Sequence, residues 1–164
     1  MLKAIVAIDQ NWGIGYQGKL LAHIPEDLNY FKSKTLGKVI VMGRETLETL
    51  PGGKPLPGRT NIVLTGNASY EASCSICCSM EAALELIKTY NDKDVLIIGG
   101  EQIYRQFLPF CDEVYVTKIE ATFICDKHFP NLDKMDDWKQ SEESTAGEHK
   151  GLKYQFTKYM RRME

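Results

Sequence analysis

One carboxylate in the stretch LLAHIPEDLNYFK (20–32) leans toward a face that is otherwise apolar. Pro25 suits a first helical position, where no backbone N–H is needed, and Ile24, Leu28 and Phe31 then fall on one helical face. At roughly 100° per residue, Asp27 sits at the border of that face and Glu26 points nearly opposite. Acid in a first turn is favoured by the helix macrodipole, which is reason enough for Asp27 unless the rest of the chain supplies a ligand. Two strand-to-helix junctions carry glycine: Gly43 in VMGRET, and Gly99 with Gly100 in IIGGEQ. Glycine admits close backbone approach, and free N–H groups at a helix start favour an anion. A pyrophosphate spanning both junctions is one reading and routine turn glycine is the other. Neither junction is a G-x-G-x-x-G fingerprint. The glycine-rich AIDQNWGIGYQGKL (7–20) follows an apolar run, and its length favours a mobile lid over a plain loop.

Metal and disulfide chemistry are not expected. Five cysteines make an odd number with no export signal, so reduced thiols are the default. CSICC (74–78) has a C-x-x-C spacing, but no second C-x-x-C or His pair completes a zinc site. His23, His128 and His149 are scattered. A net charge of −2 gives no nucleic-acid footprint. MLKAIVAID has five apolar residues between Lys3 and Asp9, too few for a signal peptide or a membrane span. These features predict a cytoplasmic, monomeric protein with one domain over 1–164.

The elements that must position these residues alternate between apolar runs and helical patterns, which predicts an α/β architecture with a largely parallel sheet. KAIVAI (3–8), KVIVM (38–42), TNIVLT (60–65), the weaker SICCS and DVLIIGG (94–100) read as strands. DVLIIGG is apolar throughout, so both its faces should be covered. Helices are expected over 25–35, in RETLETL, in SMEAALELIKTY (79–90) with Ser79 as a lone cap, and in EQIYRQFL (101–108), stopped by Pro109. EVYVTKIEATF (113–123), WKQSEES (138–144) and LKYQFTKYMR (152–161) alternate without intervening helices, which predicts an antiparallel edge. LPGGKPLPGR (50–59) reads as a surface loop.

The motifs AIDQNWGIG, IPEDLNYFK, VIVMGRETLETL, PLPGRTNIVLT, IIGGEQIYRQFLP, VYVTKIEA and DKHFP, in this order and spacing, resemble dihydrofolate reductases over essentially the whole chain. The resemblance implies a central eight-stranded, mostly parallel sheet with an antiparallel C-terminal edge and about four flanking helices. It implies reduction of 7,8-dihydrofolate to tetrahydrofolate with NADPH, in the service of one-carbon metabolism, and binding of 2,4-diaminopyrimidine or 2,4-diaminopteridine antifolates. Asp27 then matches the carboxylate that orients the pterin, because hydride goes to C6 while N5 must gain a proton. Thr117 matches the threonine supporting it. Ile5, Ala7, Leu28, Phe31 and Leu50 match the apolar walls, and Arg59 the arginine that grips the substrate's glutamate α-carboxylate with its planar fork.

For the cofactor, the resemblance places Gly99 and Gly100 beside the phosphates, Ile98 and Tyr104 near the reacting rings, and Thr46 at a phosphate. Ala7, Gly43, Gln102 and Ile103 fall along the same site. Ile14 and Gly15 match the lid, Asp126 an acid that holds it closed, and Arg44 and Thr65 positions around the 2′-phosphate. Two departures stand out. Leu21 and Ala22 occupy the places of the family's usual proline and tryptophan, implying a larger, wetter pocket that Trp12 could partly fill. Near the 2′-phosphate, Glu45 beside Arg44 could offset its charge. These departures leave two other readings open: a folate- or nucleotide-binding protein with weak turnover, and a related pterin or pyrimidine reductase.

Overall fold

Six parallel strands drawn from the apolar runs form the centre of one sheet, in a computed structural model that describes residues 1–163. They are β1 (Leu2–Ile8), β3 (Val39–Gly43), β4 (Thr60–Leu64), β5 (Ser75–Cys77), β6 (Val95–Gly99) and β7 (Glu113–Ile119). Short β2 (Gly13–Gly15) and β8 (Lys127–His128) form a separate antiparallel pair. β9 (Trp138–Glu143), β10 (Gly147–His149) and β11 (Leu152–Arg161) close the chain. The eight-strand path runs β10-β11-β7-β1-β6-β3-β4-β5, with β9 paired to β11 beside it. β11 lies antiparallel to β7 from Tyr154↔Ile119 to Met160↔Glu113, which supplies the expected antiparallel edge.

Both faces of the sheet are covered, as near-continuous apolar strands require. Along β3 the residues alternate between two apolar clusters: Val39 and Val41 enter one, Ile40 and Met42 the other, and all four are fully buried. Among the described residues the helices are α1 (Pro25–Thr35), α2 (Arg44–Thr49), α3 (Met80–Lys88) and α4 (Glu101–Phe107). Pro25 opens α1 as its sequence predicts, and Ser79 Oγ caps α3 by accepting from the Ala82 N–H at 3.0 Å. No helix among the described residues is long and apolar enough to cross a membrane.

Three expectations change. The strand expected over 113–123 ends at Ile119, because the chain turns there: the Ala121 N–H donates back to Ile119 O and Phe123 N–H to Asp9 Oδ2, both at 2.9 Å. The α1 face carrying Leu28 and Phe31 does not enter the core. Ile24 is buried, but Leu28 is 44% exposed and borders a cleft. Trp12 does not fill space beside Leu21 and Ala22. It is buried in the core, 6.2 Å from the Phe129 ring and edge-on to Tyr159 at 5.8 Å.

Candidate active site

A cleft of ≈ 660 Å³ opens where β1, β3, β4 and β6 end, the edge at which open α/β sheets bind ligands. Ala7, Gly43, Ile98 and Gly99 reach it from the strand ends, Thr65 from just beyond β4. Arg44 and Thr46 come from the head of α2; Gln102, Ile103 and Tyr104 come from α4 after Gly100. Ile14 and Gly15 of β2 line the cleft as well. Every residue expected along the cofactor therefore lines one cleft.

The glycine junction is shaped for close approach. Gly99 has φ +132°, a conformation side chains rarely adopt, and a Cβ there would lie 3.4 Å from Thr46 Oγ1. At Gly43 a Cβ would lie 3.1 Å from Ile103 Cγ1. Tyr104 is buried, donates its hydroxyl to Ile5 O at 2.7 Å, and packs edge-on to Phe129 at 4.9 Å. Burial, and after it the charge of Asp27, push the Tyr104 phenol far up, so it stays protonated. A bare backbone turn flanked by hydroxyls and the Arg44 guanidinium fits a dinucleotide's phosphates. These residues suit NADPH.

Asp27 occupies the first turn of α1, over the end of β7. Its Oδ1 accepts a hydrogen bond from Thr117 Oγ1 at 2.7 Å, and Thr117 is 2% exposed, paired in register with Ala7 of β1. Burial holds the Asp27 carboxyl above the usual carboxylate range, while the Thr117 bond pulls it down. Glu26 points away, 4.0 Å from His149 Nδ1. The helix thus gives one carboxylate to the cleft and the other to the sheet edge.

The remaining expected substrate residues stand outside the lining of this cleft. Ile5 is buried in β1, Leu50 packs on Ile40, Met42, Leu47 and Val63, and Phe31 is half-buried on α1. Arg59 donates from Nε to Thr35 Oγ1 at 3.1 Å and from Nη1 to Pro57 O at 2.8 Å, which fixes it at the far end of α1. Arg44 pairs with Glu48, Nε to Oε1 at 3.5 Å one turn along α2, and lies 5.8 Å over the Tyr70 ring. The ion-pair partner of Arg44 is therefore Glu48, while Glu45 lines the cleft beside it.

The loop that carries β2 is held by groups that sequence reasoning largely missed. Asp9, 2% exposed, accepts from the N–H groups of Gly13 at 2.8 Å, Asn11 at 2.9 Å and Phe123 at 2.9 Å, with Cys125 Sγ 3.7 Å away. Burial alone would raise its pKa, but these donors hold it below the usual carboxylate range. The aspartate two residues before Asn11 in AIDQNWG is an Asx-turn signal that could have found it. Asp126 accepts from the Gln17 N–H at 3.1 Å and donates its own N–H to Gly15 O at 3.0 Å. Leu21 and Ala22 line the cleft and pack with Ile24, Ile119 and Tyr154. Tyr16, Lys19, Asn67, Glu101 and Lys127 also line it. Of these, Tyr16 and Lys19 lie in the stretch read as a lid; nothing local in the sequence points to the other three.

Fold and cleft together define an α/β protein that binds a nucleotide cofactor along its strand ends, beside the half-buried carboxylate of Asp27. The dihydrofolate reductase family model matches residues 1–161. The chain is 40% identical over 159 residues to the dihydrofolate reductase of Neisseria meningitidis serogroup B, covering 96% of each. It is 38% identical over 162 residues to that of Bacillus subtilis, covering 97% of this chain and 94% of the relative. A solved structure of dihydrofolate reductase from Enterococcus faecalis, complexed with NADP(H) and RAB-propyl, superposes with a TM-score of 0.90 at 36% identity, covering 99% and 97% of the two chains. The chain belongs to the dihydrofolate reductase family. It is an oxidoreductase that reduces 7,8-dihydrofolate to 5,6,7,8-tetrahydrofolate with NADPH.

Proposed function

We propose that Asp27, supported by Thr117, orients the pterin of dihydrofolate and serves its protonation, and that α1 acts as a ruler for the rest of the substrate. The observation carrying this reading is the 2.7 Å Thr117–Asp27 hydrogen bond at the cleft. NADPH, when bound, supplies the hydride. Asp27 accepts hydrogen bonds from the pterin's 2-amino group and ring nitrogen, and a water relays the proton toward N5. Its raised pKa keeps a proton within reach at a higher pH than an ordinary aspartate would.

Arg59 binds at Thr35, eight residues beyond Asp27 on α1, or roughly 12 Å along the axis at about 1.5 Å per residue. A pterin at Asp27 would then extend past Leu28 and Phe31 and place its glutamate carboxylate near Arg59. Leu50 and Ile5 support these walls from behind. On the cofactor side, Arg44 and Thr65 meet the 2′-phosphate, Thr46, Gly43, Gly99 and Gly100 the diphosphate, and Ala7, Ile14, Gly15, Ile98, Gln102, Ile103 and Tyr104 the remainder.

Asp27 takes part in no ion pair among the described residues, so a protonated 2,4-diaminopyrimidine or 2,4-diaminopteridine antifolate would bring its missing countercharge. A chain of 164 residues with a net charge of −2 gives no reason for a second copy, and we read it as a single-domain monomer. Five free cysteines suit a reducing cytoplasm. Dihydrofolate-dependent NADPH oxidation by the parent and by Asp27→Asn, followed from pH 5 to 9, tests the reading. The parent should turn over across this range, with Asp27→Asn defective at neutral pH and partly recovered in acid. Equal profiles would remove Asp27 from proton delivery.

A further inference from the structure

We infer that Glu101 is a positioning residue that ties the lid to the cofactor site. β8 is two residues long, too short to be held by its own ladder. On one edge its neighbourhood serves the lid: Phe129 N–H donates to Trp12 O at 2.8 Å and Asp126 N–H to Gly15 O at 3.0 Å. In a strand, successive N–H groups point to opposite edges. His128 is adjacent to Phe129, so its N–H turns away from the lid and donates to Glu101 Oε2 at 2.7 Å. The register shift between Gly13 and Gly15 leaves Asp126 facing the lid as well. A side-chain carboxylate thus stands where a third strand would be, and a bond to a charged acceptor is of the stronger kind.

Glu101 also stands on the other side of the coupling. It is the first residue of α4, follows Gly99 and Gly100 directly, and itself lines the cleft. Movement of that turn on meeting a diphosphate is transmitted through one side chain to β8, and through the Gly13↔His128 and Gly15↔Lys127 pairs to the lid. Among the described residues Glu101 forms no ion pair. Released from His128, its carboxylate would be an uncompensated anion on the wall of a phosphate site. The bond therefore both braces the lid and restrains a charge adverse to the cofactor, and binding linkage makes the coupling reciprocal.

The inference rests on the proposed reading of 7–20 as a lid and of Gly99–Gly100 as a cofactor contact. NADPH titration of the parent tests the cofactor reading separately. The decisive measurement is hydrogen–deuterium exchange of the 13–17 and 126–129 amides in the parent, Glu101→Ala and Glu101→Gln, each with and without NADPH. Glu101→Ala should exchange about tenfold faster in both segments, the scale of one lost charge-assisted bond, and NADPH should protect its lid less than it protects the parent's. Glu101→Gln retains a carbonyl acceptor and should restore most of the protection, while binding NADPH at least as tightly as the parent at low salt. Glu101→Ala exchanging like the parent would overturn the proposal, as would Glu101→Gln failing to restore protection. If the parent binds NADPH but its lid gains no protection, the coupling is refuted while the cofactor site stands.

Discussion

Thr117 Oγ1 lies 2.7 Å from Asp27 Oδ1, although ninety residues separate them in sequence. The bond joins the first turn of α1 to β7 and opposes the effect of burial on the carboxyl. Thr117→Val keeps the shape and removes the donor, so the Asp27 pKa should rise. The midpoint in the pH dependence of single-turnover hydride transfer should move to higher pH, with NADPH affinity unchanged. An unmoved midpoint would show that the bond does not tune the carboxyl.

Asp27→Asn should lower kcat/KM at neutral pH by roughly 10²–10⁴-fold, the range for loss of a positioned acid or base, with partial recovery in acid. It should also stabilise the fold. The folded-state pKa of Asp27 is raised, so the native state binds more protons than the unfolded chain once pH exceeds the ordinary aspartate value. Stability then falls as pH rises through the window up to the folded pKa. Asparagine removes that loss, and each kcal/mol of relief appears as about 2–4 °C in Tm for a chain of this size. Thermal melts should show the variant above the parent at pH 7 and the two converging below about pH 4.

Arg59→Lys keeps the charge but loses the planar fork. KM for dihydrofolate should rise about tenfold or more, the scale of a lost charge-assisted pair, with a much smaller change in kcat. A pteroate analogue lacking the glutamate should be nearly indifferent. Equal losses on both substrates would assign Arg59 to bracing Thr35 alone.

Arg44→Ala should weaken NADPH much more than NADH, because only the former carries a 2′-phosphate. Glu48→Gln frees Arg44 from its partner at 3.5 Å and should tighten NADPH by at most about fivefold at low salt, given the small worth of exposed pairs. The gain should shrink as salt is added. Glu45→Gln should do less, and titration of both variants with each cofactor separates the two carboxylates.

Leu21→Pro combined with Ala22→Trp should tighten dihydrofolate binding to the NADPH complex and speed hydride transfer, by stiffening the open lid and adding an indole of about 200 Å². The indole would meet the aliphatic wall of Ile24 and Ile119 and the Tyr154 ring, since Trp12 is committed to the core. Tighter binding with slower hydride transfer would mean that this pocket is matched to its own loop.

The sequence by itself determined the elements whose signal is local. The six central strands follow from apolar runs, α1 begins at Pro25, Ser79 caps α3, and β11 spans its alternating stretch. It also pointed to Gly43, Gly99 and Gly100, which line the cleft, since strand-end glycines and helix starts gather wherever parallel strands end together. Tertiary structure alone decided the rest. β2 and β8 are three and two residues long, too short to carry a period, and exist because a distant partner meets them, whereas β10 is paired to β11 by a local hairpin. The burial of Trp12, the Asp9–Phe123 bond and the Glu101–His128 bond join residues 27 to 147 positions apart, and pairing across such distances depends on strand order rather than local pattern. Arg44 is the converse case: the sequence pointed to its neighbour Glu45, and helix geometry brings the i,i+4 partner Glu48 alongside. The substrate walls divided for the same reason, because Phe31 and Arg59 lie along α1 beyond the cleft at the strand ends, a distance that only the helix's direction sets.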